Sequence, residues 1–67
     1  MIKFSIVDIC GGTRNMPYLM KELREHKLIV ATEKDVGGDT VYLTNNLVAV
    51  KKIMEDYEGL MLDIHRD

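Results

Sequence analysis

Three short breaks, each rich in glycine or asparagine, divide the chain and limit what it can fold into. They lie at Gly11-Gly12-Thr13, at Val36-Gly37-Gly38-Asp39 and at Thr44-Asn45-Asn46. Residues of these types favour turns because they tolerate unusual backbone angles or bond to the local backbone. The segments between the breaks are short, and the chain has 67 residues. The sequence therefore predicts one small domain, spanning 1–67, with a single core.

The first segment, Ile2 to Cys10, carries two conflicting patterns. Apolar and polar residues alternate from Ile2 to Ile6, which is typical of a half-buried strand. Ser5 followed three residues later by Asp8 is also a capping-box arrangement, and Gly11 is suited to end a helix. We expect a short helix here, with a strand as the alternative.

The second segment predicts a helix that starts at Met16 and ends near His26-Lys27. Asn15 is a suitable N-cap, and Pro17 is tolerated in the first helical turn. Apolar residues recur on one stripe of this helix: Met16, Leu19, Met20, Leu23 and Leu28. The following segments 28–32 and 40–44 are β-branched and apolar, and the loop between them contains Gly37-Gly38. They predict an antiparallel hairpin.

The last segment predicts a long helix over 45–67. Its apolar residues follow a 3-4 spacing, which paired helices bury against each other. A small domain also leaves much of its apolar surface uncovered. We therefore expect a homodimer held by this helix. The predicted interface residues are Val50, Ile53, Tyr57, Leu60, Met61 and Ile64.

Read in order, these elements resemble the winged helix-turn-helix superfamily of MarR-like and ArsR-like regulators. The resemblance rests on Met16 to Ile29, which is similar to a recognition helix leading into a wing, and on Val41 to Thr44, which is similar to the strand that closes the wing. Lys27 stands where that family often has glycine, and the wing tip is acidic. The resemblance implies a small α+β winged-helix fold with a long C-terminal dimerisation helix.

The same resemblance implies sequence-specific binding to double-stranded DNA, as a dimeric transcriptional regulator. The helix that begins at Met16 would enter the major groove, where side chains read base edges, while lysines contact phosphates. The residues implied for DNA contact are Thr13, Arg14, Asn15, Tyr18, Lys21, Lys27 and Lys34. Charge is consistent with this location, since residues 1–34 carry six basic and four acidic side chains. Residues 35–67 carry three basic and seven acidic ones.

A second function stays open at this point. If the first segment is a strand, the chain reads β-α-β-β-α, and its acidic second half would serve a protein partner, as in a small adaptor or inhibitor. Other classes have little support. Cys10, His26 and His65 match no metal-ligand spacing, no nucleophile–base motif suggests an enzyme, and no cofactor or small-molecule ligand is indicated. A lone cysteine and the lack of a membrane-length apolar run favour the cytoplasm.

Overall fold

The chain alternates strands and helices in the order β-α-β-β-α-β. A computed structural model describes residues 1–65. Its strands are β1 (Ile2–Asp8), β2 (Ala31–Lys34), β3 (Thr40–Thr44) and β4 (Leu60–His65). Its helices are α1 (Met16–Glu25) and α2 (Leu47–Met54), and a 3₁₀ turn at Gly12–Asn15 precedes α1. Neither described helix has the length and apolar character needed to cross a membrane.

The four strands form one antiparallel sheet in the order β2-β3-β1-β4. The central strand β1 pairs with β3 from Ile2↔Thr44 to Phe4↔Tyr42, and with β4 from Lys3↔His65 to Asp8↔Leu60. The two edge strands are therefore β2 and β4. This combination of element order and strand order is the split β-α-β, or ferredoxin-like, arrangement. The α+β class is confirmed.

One face of the sheet packs against both helices. The buried cluster joins residues of β1 and β4 to residues of the helices: Phe4, Leu60, Leu19, Met20, Leu23, Val50, Met54 and, after α1, Leu28. Strand side chains alternate between faces, so the neighbours of Phe4 and Leu60 lie on the other side of the sheet. We call that side the open face; its residues are Lys3, Ser5, Val7, Ala31, Glu33, Val41, Leu43, Met61, Asp63 and His65.

The predicted N-terminal helix is wrong, and the alternative, a strand, is confirmed. Ser5 does not cap a helix but lies within β1. The carboxylate of Asp8 accepts hydrogen bonds from the Gly12 N–H and the Thr13 hydroxyl, so it stabilises the turn that follows. The apolar alternation from Ile2 onward outweighs the capping signal because Phe4 and Ile6 contribute to the core.

The predicted long helix over 45–67 is also wrong. Helix α2 begins as expected, with the Asn46 side chain accepting a bond from the Ala49 N–H at 3.1 Å, but it ends at Met54. Acidic residues at 55, 56 and 58 oppose the negative end of the helix dipole, and Gly59 has a φ of 82°. The chain then turns and returns as β4. Residues 66 and 67 of the predicted helix lie outside the described residues.

The middle of the chain follows the prediction more closely. Helix α1 and the β2–β3 hairpin are confirmed, but β2 starts at Ala31 rather than Leu28. The reason is that Leu28 completes the end of α1: its N–H bonds the Leu23 carbonyl at 2.9 Å and its side chain is buried. The hairpin follows α1 as a wing would, yet the sheet continues through β1 and β4.

Candidate functional site

The strands β1 and β3 separate beyond the pair Phe4↔Tyr42. Across the gap, the Ser5 hydroxyl donates to the Thr40 carbonyl at 3.3 Å. The Ile9 N–H bonds the Gly59 carbonyl at 2.9 Å, which continues the register of β1 with β4. In an antiparallel ladder, hydrogen-bonded residue pairs alternate with pairs that are not hydrogen-bonded. Because Ile9 belongs to a bonded pair, the odd-numbered residues of β1 form the backbone hydrogen bonds to β4. The backbone groups of Ile6 and Asp8 consequently point to the side that β3 has left.

A cleft of about 570 Å³ occupies this gap. We call it the acidic cleft. It is bounded by the second half of β1, the hairpin loop, the start of α1 and the open-face side of β4. Its lining residues are Ser5, Ile6, Val7, Asp8, Met16, Asp35, Asp39, Thr40, Tyr42, Asp63 and His65.

The loop between β2 and β3 forms one wall and is held by its own aspartates. The Asp35 carboxylate accepts the Asp39 N–H at 2.9 Å, and the Asp35 N–H in turn donates to the Asp39 carbonyl at 2.9 Å. Gly38, with a φ of 85°, donates its N–H to the Asp35 carbonyl at 3.0 Å. These bonds close the turn and hold the Asp35 carboxylate within it.

Asp8 stands at the end of the cleft that meets the turn before α1. Its carboxylate accepts a hydrogen bond from the Thr13 hydroxyl and a second from the Gly12 N–H at 2.8 Å. Both bonds favour the charged form, and the bond from Thr13 has the larger effect. They lower the pKa of Asp8 below its ordinary value of 3.8. Asp8 is thus a fixed negative charge at neutral pH.

Ser5 and His65 form a hydroxyl–imidazole pair on the open-face side of the cleft. The Ser5 Oγ lies 2.6 Å from the His65 Nε2, and Asp63 is the cross-strand neighbour of Ser5. Nucleophilic serines need a histidine that a third group orients. Within residues 1–65, no carboxylate lies within salt-bridge distance of His65. The contact joins the end of β4 to β1, and both residues line the cleft.

Negative charge dominates the lining. Four aspartates line the cleft, and no lysine or arginine is among the described lining residues. The Lys34 ammonium, at the border, donates to the Thr40 hydroxyl at 2.9 Å. Across 1–65, no group of three or more His, Cys, Asp or Glu side chains is arranged to hold a metal ion. The four carboxylates come from β1, from the hairpin loop and from β4.

The residues predicted to read DNA before α1 are placed in the 3₁₀ turn. The Thr13 hydroxyl is bonded to Asp8, and the Asn15 amide donates to the Glu58 carbonyl at 3.1 Å rather than capping α1. Both side chains therefore fasten the turn to neighbouring segments. Arg14 is exposed.

The other predicted DNA contacts are spread over the surface. Tyr18, 66% exposed, and Lys21 lie on the outer side of α1. Lys27 follows the helix with a φ of 56°, and Lys34 belongs to β2. Arg14, Tyr18 and Lys21 thus share one region, whereas Lys34 borders the acidic cleft.

The six predicted dimer residues do not form a helical seam. Val50 is fully buried in α2, Ile53 packs against the core, and Tyr57 lies in the turn after α2. Burial, followed by the negative charge of Glu22, raises the pKa of Tyr57 above its ordinary value of 10.0. The remaining three residues, Leu60, Met61 and Ile64, belong to β4, where Met61 alone points to the open face.

The acidic cleft as a whole was missed by the sequence prediction. Its members lie in β1, in the hairpin loop and in β4, and only the pairing of β1 with β4 assembles them. The signal available was the excess of acidic residues after position 34, together with the acidic loop tip. Comparisons with protein-family models, with curated proteins and with solved structures find no match to this chain.

Proposed function

We propose that this protein is a protein-binding module whose acidic cleft takes a short, extended, basic segment of a partner. The observation that carries the proposal is the unpaired edge of β1 within a cleft lined by four aspartates. This deepens the adaptor reading of the sequence, in which the N-terminal strand and the acidic second half go together.

The backbone of β1 supplies one half of the recognition. Ile6 and Asp8 turn their N–H and C=O groups toward the cleft, on the side where β3 has diverged. An extended peptide can bond to such groups by adding a strand, which gives affinity with little dependence on sequence. The stretch accommodates only a few residues, so we expect weak binding, with a Kd of roughly 10–100 μM.

The aspartates supply the other half. Carboxylates beside an extended peptide favour lysine or arginine at alternate positions, because strand side chains alternate. Asp39 and Asp63 lie on opposite sides of the cleft, on the hairpin loop and on β4 respectively. Because these charges are accessible to solvent, added salt should weaken the attraction.

Sequence-specific DNA binding stays a prediction, and it makes a different demand on the surface. It requires the region of Arg14, Tyr18 and Lys21 to meet a phosphate backbone. The cleft would repel the same backbone. The two functions therefore use different residues and can be separated by one set of variants.

The test is titration of the full chain with two labelled nonapeptides, one alternating lysine with valine and one alternating glutamate with valine, and with a DNA duplex. The cleft variant Asp39→Asn/Asp63→Asn is compared with Glu55→Gln/Glu58→Gln, which removes the same charge from exposed positions outside the cleft. We expect the lysine peptide to bind, and neither the glutamate peptide nor the DNA duplex. Its Kd should rise about tenfold in the cleft variant and less than about twofold in the control.

Amide chemical shifts locate the ligand. The lysine peptide should move the N–H signals of Ile6 and Asp8 more than those of Tyr18 and Lys21. Equal affinity of both double variants would contradict the cleft as the binding site. A duplex that binds more tightly than the peptide, and loses affinity in Arg14→Ala, would establish DNA binding instead.

A further inference from the structure

We infer that two copies of this chain associate through the free edge of β4, with Met61 of one copy opposite Met61 of the other. The inference does not rest on the proposed function, because it concerns the edge of the sheet that faces away from β1, although Val7 and Asp63 also line the acidic cleft. The partner is a second, identical chain, and the pairing is antiparallel about a two-fold axis. Its basis is the backbone alternation, the charge pattern and the apolar surface of β4.

The backbone of β4 has a free side. Odd-numbered residues of this strand bond β1, as the Ile9–Gly59 bond and the register show. The N–H and C=O groups of Leu60, Leu62 and Ile64 consequently point outward, where no strand of the described sheet pairs with them. Unpaired edges of this kind are templates for another strand.

The two edges of the sheet differ in how they are protected. The edge strand β2 has four residues, and its charged members are engaged: Glu33 lies 3.4 Å from Lys3, and Lys34 bonds Thr40. Strand β4 has six residues and contains neither lysine nor proline. Short length and charge are the usual protections of an edge, and β4 lacks them except at Asp63.

Asp63 decides the register. In a two-fold antiparallel pair, one residue lies opposite its own copy, and the outward-facing residues must pair with each other. If Asp63 lay at the two-fold axis, the two Asp63 carboxylates would be directly opposite each other. If Leu62 lay at the axis, the two carboxylates would be diagonal neighbours across the strand pair. A centre at Met61 places Asp63 opposite Gly59 and Leu60 opposite Leu62. This register alone separates the two carboxylates while keeping apolar residues paired.

The same register covers an exposed apolar patch. Val7 and Met61 are cross-strand neighbours on the open face, 38% and 49% exposed, and Ile9, at 58%, follows Val7 in the chain. With Met61 at the two-fold axis, Val7 and Met61 of one copy and the same two residues of the other copy form one continuous apolar row. A strand pair is smaller than the roughly 800 Å² per partner of a standard interface, so the dimer should be weak, with a Kd of roughly 10–100 μM.

The first experiment is sedimentation of the full chain between roughly 5 and 500 μM, a range that brackets that Kd. We expect the parent and Met61→Leu to shift from monomer to dimer. Met61→Lys should stay a monomer, because two ammonium groups would meet at the axis. Met61 is half exposed on the open face, so thermal unfolding of the lysine variant should match that of the parent.

The second experiment checks the register. In a Cys10→Ser background, Met61→Cys should form a disulfide between chains at least about tenfold faster than Val48→Cys, because residues opposite each other in a non-bonded pair have Cβ atoms within disulfide range. Val48 is 77% exposed on α2 and serves as the accessible control. A parent that remains monomeric throughout, or equal crosslinking rates for the two variants, would overturn the inference.

Discussion

Lys27 has a left-handed backbone, which side chains other than glycine rarely adopt. It follows α1, where its N–H donates to the Arg24 carbonyl at 3.0 Å while the Leu28 N–H bonds back to Leu23. This is the bonding pattern of a helix that terminates through a left-handed residue. The strain is tolerated because Leu28 is thereby buried in the core.

Replacing Lys27 with glycine should therefore stabilise the protein. Glycine relieves the backbone strain, although it adds freedom to the unfolded chain, and the net gain in the free energy of unfolding should be about 0.5–1 kcal/mol. Urea denaturation measures it. Lys27→Ala removes the same charge but keeps the Cβ, so it should stay close to the parent. A gain in the alanine variant would assign the effect to the side chain rather than to the backbone.

Asp8 gives stability a defined dependence on pH. Its pKa is lowered in the folded state, so its contribution is fully present above the ordinary value of 3.8 and is lost as pH falls through the lower, folded value. The parent should exceed Asp8→Asn in stability near about pH 6, and the difference should shrink toward about pH 2. Denaturation curves at both pH values check this. Asp63→Asn, which lies on the open face away from the turn, should not reproduce the pattern.

The turn before α1 and the turn before β4 meet backbone to backbone. A Cβ placed on Gly12 would lie 2.5 Å from the Gly59 carbonyl carbon, and one on Gly59 would lie 2.8 Å from the Gly12 Cα. The neighbouring bond from the Asn15 amide to the Glu58 carbonyl joins the same two turns. Helix α1 is thus located relative to β4 by direct contact of the main chains.

Gly12→Ala should consequently be among the most damaging small substitutions in this protein. The methyl group has no flexible side chain to displace, and the expected loss is about 2–3 kcal/mol in the free energy of unfolding. Gly37→Ala is the matched control, since a Cβ there meets only the Asp35 and Asp39 carboxylates at 3.5 and 3.9 Å. Thermal unfolding of both variants decides the matter. A Gly12→Ala protein as stable as the control would show that the two turns can move apart.

Elements defined by local signals were predictable, and those defined by distant partners were not. The stripe of α1 and the β2–β3 hairpin each depend on residues close in sequence, and both are confirmed. Leu60 and Ile64 fit a helical spacing with the residues before them, and equally a strand with Leu62. Pairing with β1 decides between helix and strand, and the spacing of apolar residues alone does not reveal this pairing.

The domain separates its charges by surface. Arg14 in the turn before α1 and Lys21 and Arg24 on α1 are exposed basic side chains, whereas the cleft gathers aspartates from three separate parts of the chain. The sequence indicated this division through its basic first half and acidic second half. It could not indicate the cleft, since Asp8 and Asp63 come together only because β1 and β4 are neighbours.

The pairing of β1 with β4 also affects when the sheet can form during synthesis. Strand β1, one of the two inner strands of the sheet, is synthesised before its neighbour β4. Contacts such as Lys3↔His65 join residues that are far apart in the sequence, and long-range contacts of this kind slow folding. Until β4 arrives, β1 offers an unsatisfied edge to any other strand, so a growing chain of this protein is exposed to misassociation until β4 has emerged.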